Sequence, residues 1–529
     1  MKESEVFKLT YATMFDPPPE LHTLFDEKLV HMKANLGQEQ PMLINGEDRF
    51  AQEKFESISP INTDWVLGTF QKGTQRDVND ALDAAQTSFS DWSRLNWQER
   101  VALLRKVATQ IEARLFELGV ALSLEVGKNR LEALGDAQET ADLIRHACDM
   151  VESNNGFIVQ MENDPLKGFI STNVSLLKPY GVWVVISPFN FPCALTGGPA
   201  GAALVAGNTV VAKSATDTPW VGRLLAECFR DAGLPDGVFN YITGPGNEVG
   251  KGLVEDPRVA GITFTGSYDV GMNIYRSFAQ GHYPRPTILE MGGKNPAIVS
   301  RNADLDQAAT GIVRAAYGLQ GQKCSACSRV IAETTIKAEL AERIAQLAQE
   351  IEVGDPTAQE NWMGPVINRG SYGEFSELAE ELSQAGTIIA GGTHLIEGDL
   401  ANGYFCAPTV VDGVPKNHRL WQHEMFLPIT MITDVASLDE AMAMANDVDY
   451  GLTAGFYGSE SEAQWFFDNI ESGVNYANRS QGATTGAWPG FQPFGGWKGS
   501  GSSGKFAGGP YYVTNYMHEQ SQTVVKSTL

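Results

Sequence analysis

The sequence predicts an α/β protein with two doubly wound domains, a cleft between them and a small β element added. Three observations predict it. The chain has 529 residues, enough for more than one core of ordinary size. From VWVVISP at 182–188 to GITFT at 261–265, short β-branched runs alternate with helix-like stretches, the pattern of βαβ units and a parallel sheet. A second series of the same kind starts at PAIVS, just after Asn295, and ends at GVNY, which includes Asn475.

Taken in order, residues 1–45 read as an irregular arm carrying Pro17-Pro18-Pro19 and laid over the body. From Arg76 to Lys128 the text is helical, and ERVALLRKVATQIEARLFELGVAL places apolar residues at helical spacing. Another helix is expected near Arg130–Val151. Residues 157–177 read as two strands joined around Asp164-Pro165. Within the first series, VWVVISP leads to a Gly/Ala-rich helix. NTVVAK, GRLLAECFRDAG, VFNYIT and GITFT then alternate strand with helix. The tail from Tyr511 to Val525 alternates as a strand does. The domain expectation is 1–156 with 178–291 as one unit, 292–505 as the second, and 157–177 with 506–529 as the added β element. Ligands in such folds bind at the carboxyl ends of the strands. Exposed strand edges in the added element seek partners, so a homo-oligomer, dimer or higher, is expected.

Hydrophobic residues make up 43% and charged residues 19%, an ordinary globular balance. The net charge of -25 argues against a nucleic-acid partner and against anionic membrane surfaces. No apolar run reads as a membrane span, and MKESEVFKLT lacks the apolar core of a signal peptide. Six cysteines in so long a chain form no disulfide framework, which points to a reducing, cytoplasmic setting. The eight histidines are scattered, so no metal site is expected.

Three segments carry candidate chemistry. GLQGQKCSACSRV, 318–330, brings Cys324 to a turn of small residues where amide N–H groups can stabilise a thiolate. A packed cysteine, a redox pair with Cys327 or half a zinc site would give the same letters. TILEMGGKNPAIV, 287–299, places Glu290 at a strand end against Gly292 and Gly293, where a carboxylate could activate water. A surface carboxylate is the plain alternative. ISPFNFPCAL, 186–195, offers the Asn190 side-chain NH₂ to a developing oxyanion, although Asn beside Pro is also a turn residue. GSGSSGK at 499–505 mimics a phosphate loop. No strand precedes it and Phe506 stands where Ser or Thr is needed, so its glycines more plausibly shape a bend in the cleft wall.

In this order and spacing, SPFNFP, NTVVAK, FTGSYDVG, LEMGGKNP, GQKCSACSR, HEMFLP and QPFGGWKGSG resemble the aldehyde dehydrogenase superfamily, from about Ile61 to about Val525. The resemblance implies a Rossmann-like cofactor domain and a catalytic domain. It implies oxidation of an aldehyde to an acid through a thioester on Cys324, with Glu290 as general base. Asn190 and the Cys324 N–H would be the oxyanion donors. It implies NAD as cofactor, with Lys213 at the adenosine ribose and Gly246 and Gly250 nearby. Thr265, Gly266 and Ser267 would lie beside the pyrophosphate, and Glu424, next to Phe426, at the nicotinamide ribose. Two positions depart from the family pattern. Thr216 stands three residues after Lys213 where many NAD-specific relatives carry Glu, which leaves NADP possible. Phe426-Leu427-Pro428 replaces the usual Phe-Gly-Pro, and the extra side chain could alter the loop near Glu424.

GQKCSACSR, TGAWPGFQPFGG and AGGPYY most resemble the delta-1-pyrroline-5-carboxylate dehydrogenases within that superfamily. That resemblance implies L-glutamate 5-semialdehyde as substrate. Gly486 and Ala487 backbone amides and Ser325 would meet its α-carboxylate. Phe191 and Phe494 would pack its chain, core aromatics being the plain alternative for both, and Glu139 would meet its ammonium. RSQGATTGAWPG is about three residues longer than the usual loop. Another polar semialdehyde or a bulkier aldehyde is the alternative, and a non-catalytic protein that kept the fold is the remote one.

Overall fold

The computed structural model describes residue 9 and residues 17–165, 167–482 and 489–527. Two seven-stranded sheets and their covering helices form the body. The first sheet runs in the order Thr287–Glu290, Val259–Thr265, Val182–Ile186, Thr209–Lys213, Phe239–Ile242, Met42–Ile44, Glu47–Arg49. Its first five strands are parallel and the last two are antiparallel additions. The second sheet runs Thr387–Ala390, Thr409–Asp412, Ile429–Val435, Cys327–Glu333, Asn295–Val299, Thr453–Tyr457, Val474–Ala477, parallel except at the first pair.

Because strand side chains alternate, each sheet packs apolar side chains on both of its faces. In the first, Trp183, Val185, Val210, Ala212 and Ile288 face the helices Arg130–Ser153 and Ala194–Ala206. Val182, Val184, Val211, Ile262, Phe264 and Leu289 face the helices Gln75–Arg94 and Tyr268–Ala279. Strands buried on both faces read as continuous apolar runs, which is why VWVVI and TVVA stand out in the text.

The arm expected over residues 1–45 is corrected in part. Pro19–Lys33 is a helix that starts on a proline, whose fixed φ suits a first helical position. It buries Leu21, Phe25 and Met32. Met42–Ile44 then joins the first sheet by pairing with Phe239–Ile242. The helical stretch before Lys128 resolves into Gln75–Arg94, Trp97–Ala113 and Leu115–Val126, and the next helix spans Arg130–Ser153. The strands expected in 157–177 are Ile158–Gln160 and Phe169–Pro179. The tail differs at its start. Tyr512–Tyr516 is a tight 3-10 turn, and the strand begins at Met517 and pairs with Phe169–Pro179 over eleven residues. Among the described residues no helix is long and apolar enough to cross a membrane.

Candidate active site

The cleft between the sheets is built from opposite strand ends. The first sheet contributes carboxyl ends, as expected. Lys213, Thr265 and Glu290 are the last residues of their strands, and Asn190 follows Ile186 by four positions. The second sheet contributes amino ends, which corrects the expectation for that half. Cys324 stands just ahead of the strand Cys327–Glu333, and Glu424 ahead of Ile429–Val435. A cavity of about 380 Å³ is lined by Asn190, Thr265, Gly266, Ser267, Glu290, Cys324, Glu424 and Phe426 together.

Cys324 is partly accessible and unpaired. The turn that delivers it is conformationally costly, because Leu319 and Gln320 both adopt left-handed φ, at 48° and 57°. Asn190, 3% exposed, donates its amide to the Gln322 carbonyl at 2.8 Å. Asn295 donates to the carbonyls of Cys324 at 2.7 Å and Ala326 at 2.9 Å. Glu132 accepts from Lys323 Nζ at 2.8 Å and from Leu319 N–H at 3.2 Å, so a residue 187 to 191 positions away in sequence grips both ends of the turn. The N–H groups of Ser325 and Cys324 itself stabilise the thiolate, as expected, but they do not dominate. Burial first, then the charges of Glu424 and Glu290, push the thiol up to about 12.

Glu290 ends its strand, and its backbone carbonyl accepts from Gly266 N–H at 3.1 Å. Burial holds its carboxyl up to about 8. Glu424 is held up to about 7 by burial, opposed by the Gly293 N–H that donates to it at 2.8 Å and by the Lys294 charge. Two glycines make this closeness possible. A Cβ on Gly292 would lie 2.1 Å from Glu424 Oε2, and one on Gly293 would lie 2.4 Å from the Cys324 carbonyl. Phe426 adopts φ 55° and meets Phe189 edge-on at 5.8 Å. The neighbouring Leu427 is 4% exposed and packs into the core of the second sheet's flank with Met425, Ile429 and Trp421. Its side chain therefore points into that core and does not line the cavity.

A larger pocket of about 580 Å³ continues from this cavity and is lined by Lys213, Gly246 and Gly250. Lys213 is 4% exposed, its amine donates to the Ser214 carbonyl at 2.9 Å, and burial lowers it to about 8. Thr216 is exposed. Gly266 and the exposed Ser267 lead into the helix Tyr268–Ala279. Main-chain N–H groups at such a start favour phosphate.

Of the residues assigned to the substrate, Ser325 is 2% exposed and its carbonyl accepts from Thr453 Oγ1 at 3.3 Å. Phe191 is buried, with Lys128 Nζ 3.5 Å from its ring centroid. Phe494 is half-buried, pairs with Ala507 and packs on Leu143 and Ala194. Glu139 lies half-buried on the helix Arg130–Ser153. Gly486 and Ala487 lie outside the described residues. The glycine-rich segment at 499–505 edges the cleft wall: Ser500 Oγ donates to the Gly292 carbonyl at 2.7 Å, and Gly501 bridges Glu290.

Sequence reading missed Asn295, Glu132 and the pair Lys128–Asp136, which is fully buried at 2.9 Å. Asp136 also accepts from the Ala194 N–H at 2.8 Å, which fixes the segment carrying Asn190 and Phe191. Asn295 had a signal, since it closes the GGKN run after Glu290. Glu132 and Asp136 had none beyond their helical spacing of four.

The chain matches the model of the aldehyde dehydrogenase family over residues 48–522. It is 38% identical to a 1-pyrroline-5-carboxylate dehydrogenase of Geobacillus sp. (strain WCH70) over 506 residues, covering 94% of this chain and 95% of the relative. Its fold is similar to the R100A mutant of Thermus thermophilus 1-pyrroline-5-carboxylate dehydrogenase, with a TM-score of 0.91 at 35% identity over 99% of both chains. A Thermus 1-pyrroline-5-carboxylate dehydrogenase with bound NAD gives a TM-score of 0.91 at 34% identity, again over 99% of both chains.

Proposed function

The chain belongs to the aldehyde dehydrogenase family, and from that premise we propose that it oxidises L-glutamate 5-semialdehyde, derived from 1-pyrroline-5-carboxylate, to L-glutamate with NAD. The reaction rests on one observation, the convergence of Cys324, Glu290, Asn190 and Glu424 on one cavity. The substrate rests on the activity for which the relatives are named.

The residues present fit a nicotinamide dinucleotide. A buried, nearly unsolvated amine at Lys213 lies in the larger pocket, and Gly266 and Ser267 precede a helix start. The Glu424 carboxylate lies where the pocket meets the cysteine. When bound, NAD supplies the hydride acceptor. Thr216 brings no carboxylate against a 2′-phosphate, so NADP is admitted as well.

In this reading the Cys324 thiol gives its proton to cleft water, the thiolate attacks the aldehyde carbon and the carbonyl electron pair moves to oxygen. That oxyanion meets the Asn190 amide and the Cys324 N–H, donors worth roughly 3–4 kcal/mol each when preorganised. Loss of hydride from the carbon leaves a thioester. Glu290 takes a proton from the water that attacks it, and the sulfur departs as thiolate. Phe191 and Phe494 would pack the carbon chain, Ser325 with Gly486 and Ala487 would receive the α-carboxylate, and Glu139 would receive the ammonium.

The sheet formed by Ile158–Gln160, Phe169–Pro179 and Met517–Ser527 exposes Ile158, Val159, Phe169, Ile170, Val524 and Val525. A second copy of the chain is the proposed cover for it. Residence in the cytoplasm accords with the six unpaired cysteines. Steady-state rates across an aldehyde panel test the substrate. Glutamate semialdehyde is expected to exceed succinate semialdehyde and propanal in kcat/KM, and equal values would refute the assignment.

A further inference from the structure

Starting one rung back from Glu290 in the first sheet, four polar side chains form a continuous buried chain. Trp183 Nε1–H donates to Thr263 Oγ1 at 3.0 Å. Thr263 Oγ1 and Tyr516 OH are 3.3 Å apart, and Tyr516 OH and Tyr512 OH are 2.7 Å apart. All four residues are buried, Tyr512 the least at 6% exposed. The two tyrosine rings meet edge-on with centroids 5.4 Å apart, and Trp183 lies against Tyr516 at 4.7 Å. The reaction outlined above uses none of them.

Strand alternation puts Glu290 on their side. Ile288 and Trp183 belong to the same core as Tyr512 and Tyr516, whereas Leu289, Ile262 and Phe264 belong to the opposite one. Two residues on from Ile288, Glu290 therefore shares the face of Ile288, and Thr263 and Thr265 share the face opposite to Ile262 and Phe264. The register pairs Thr263 with Ile288 and Thr265 with Glu290, so the chain of hydroxyls starts one rung below the carboxylate. Glu290's charge bears on both tyrosine hydroxyls and helps hold them protonated.

We propose that Tyr512 is a positioning residue for Glu290, donating its hydroxyl hydrogen toward the carboxylate through one water at the end of a polarised donor chain. An indole N–H can only donate, so Thr263 Oγ1 accepts from Trp183. Running the remaining hydrogens the same way, Thr263 gives to Tyr516 and Tyr516 gives to Tyr512, which leaves the Tyr512 hydrogen pointing onward. Each link polarises the next in a low-dielectric setting. A donor there favours the ionised carboxylate, offsetting the burial that pushes Glu290 up. Because the chain ends on an indole, it offers no exit for a proton. Its work is to keep the base ionised and aimed.

This inference rests on Glu290 acting as the base in acyl release. The titratable groups around that carboxyl are Tyr512 and Tyr516 on the core side and Cys324 and Glu424 across the cleft. The test uses the full chain with NAD and glutamate semialdehyde, following the NADH burst and the steady-state rate from pH 6 to 10. In Tyr512→Phe the pH of half-maximal steady-state turnover should move about one unit upward. At pH 7 the steady-state rate should fall about tenfold while the burst rate stays within about twofold. Tyr516→Phe and Thr263→Val should move the profile the same way by less. Should Tyr512→Phe not fold, Tyr516→Phe carries the test, since it cuts the same donor chain. A superimposable pH profile, or equal loss of burst and steady state, overturns the proposal while the wild type still turns over. A wild type that forms no NADH overturns the functional reading and this inference with it.

Discussion

At Cys324 and Glu290 the same burial works on two groups in the same direction. The thiol is pushed up to about 12 and the carboxyl up to about 8, because burial penalises the negative charge of each, and the charges of Glu424 and Glu290 add to the rise of the thiol. Cys324→Ser should abolish NADH formation and retain cofactor binding, which a fluorescence titration with NADH would check. Turnover equal to wild type would remove the thioester route. Glu290→Gln should leave the acylation burst and slow acyl release. In the wild type, release should rise as pH climbs through about 8, because only the ionised carboxylate can take a proton, and that rise should vanish in the glutamine variant. Both residues were legible in the sequence because each lies in a short run of small residues whose backbone closeness needs them. Their protonation was not legible, since it depends on desolvation by residues far away in the chain.

The helix Arg130–Ser153 acts as a single element on both walls of the cleft, on the turn before Cys324 and on the segment after Asn190. Glu132 holds the turn before Cys324, and one turn later Asp136 holds Lys128 and the Ala194 N–H. Lys128 and Asp136 are both fully buried, so removing one partner leaves a buried charge unpaired. Lys128→Met should therefore destabilise the protein by about 3–5 kcal/mol, read from urea denaturation. A change of under about 1 kcal/mol would show that the site relaxes around the lost partner. The helix itself was predictable from its apolar period. That its polar residues are functional supports was not, because their partners are 8 to 191 residues away. The helix Pro19–Lys33 escaped for a related reason. It shows the core only Leu21, Phe25 and Met32, too thin a stripe to outweigh the run of prolines before it.

For the whole molecule, the eleven-residue ladder between Phe169–Pro179 and Met517–Ser527 projects a surface that the single chain does not cover. Deleting residues 517–529 should reduce the assembly state seen by analytical ultracentrifugation and expose the Phe169–Pro179 edge to aggregation. An unchanged sedimentation coefficient per subunit assembly would place the contact elsewhere. The strand series and the nucleophile, base and amide segments were all written locally, in period-two apolar runs and short glycine-rich motifs. The sequence by itself therefore determined the α/β class, the order of strands along the chain and which side chains are candidates for the chemistry. Only the tertiary structure decided the strand order across each sheet and the meeting of carboxyl ends with amino ends. It alone put Leu427 in the core rather than the cleft, and laid a tyrosine chain one rung back from Glu290. Those outcomes depend on contacts between residues that no local pattern couples, because chain neighbours fix a strand's period and faces while packing of distant segments fixes what each face meets.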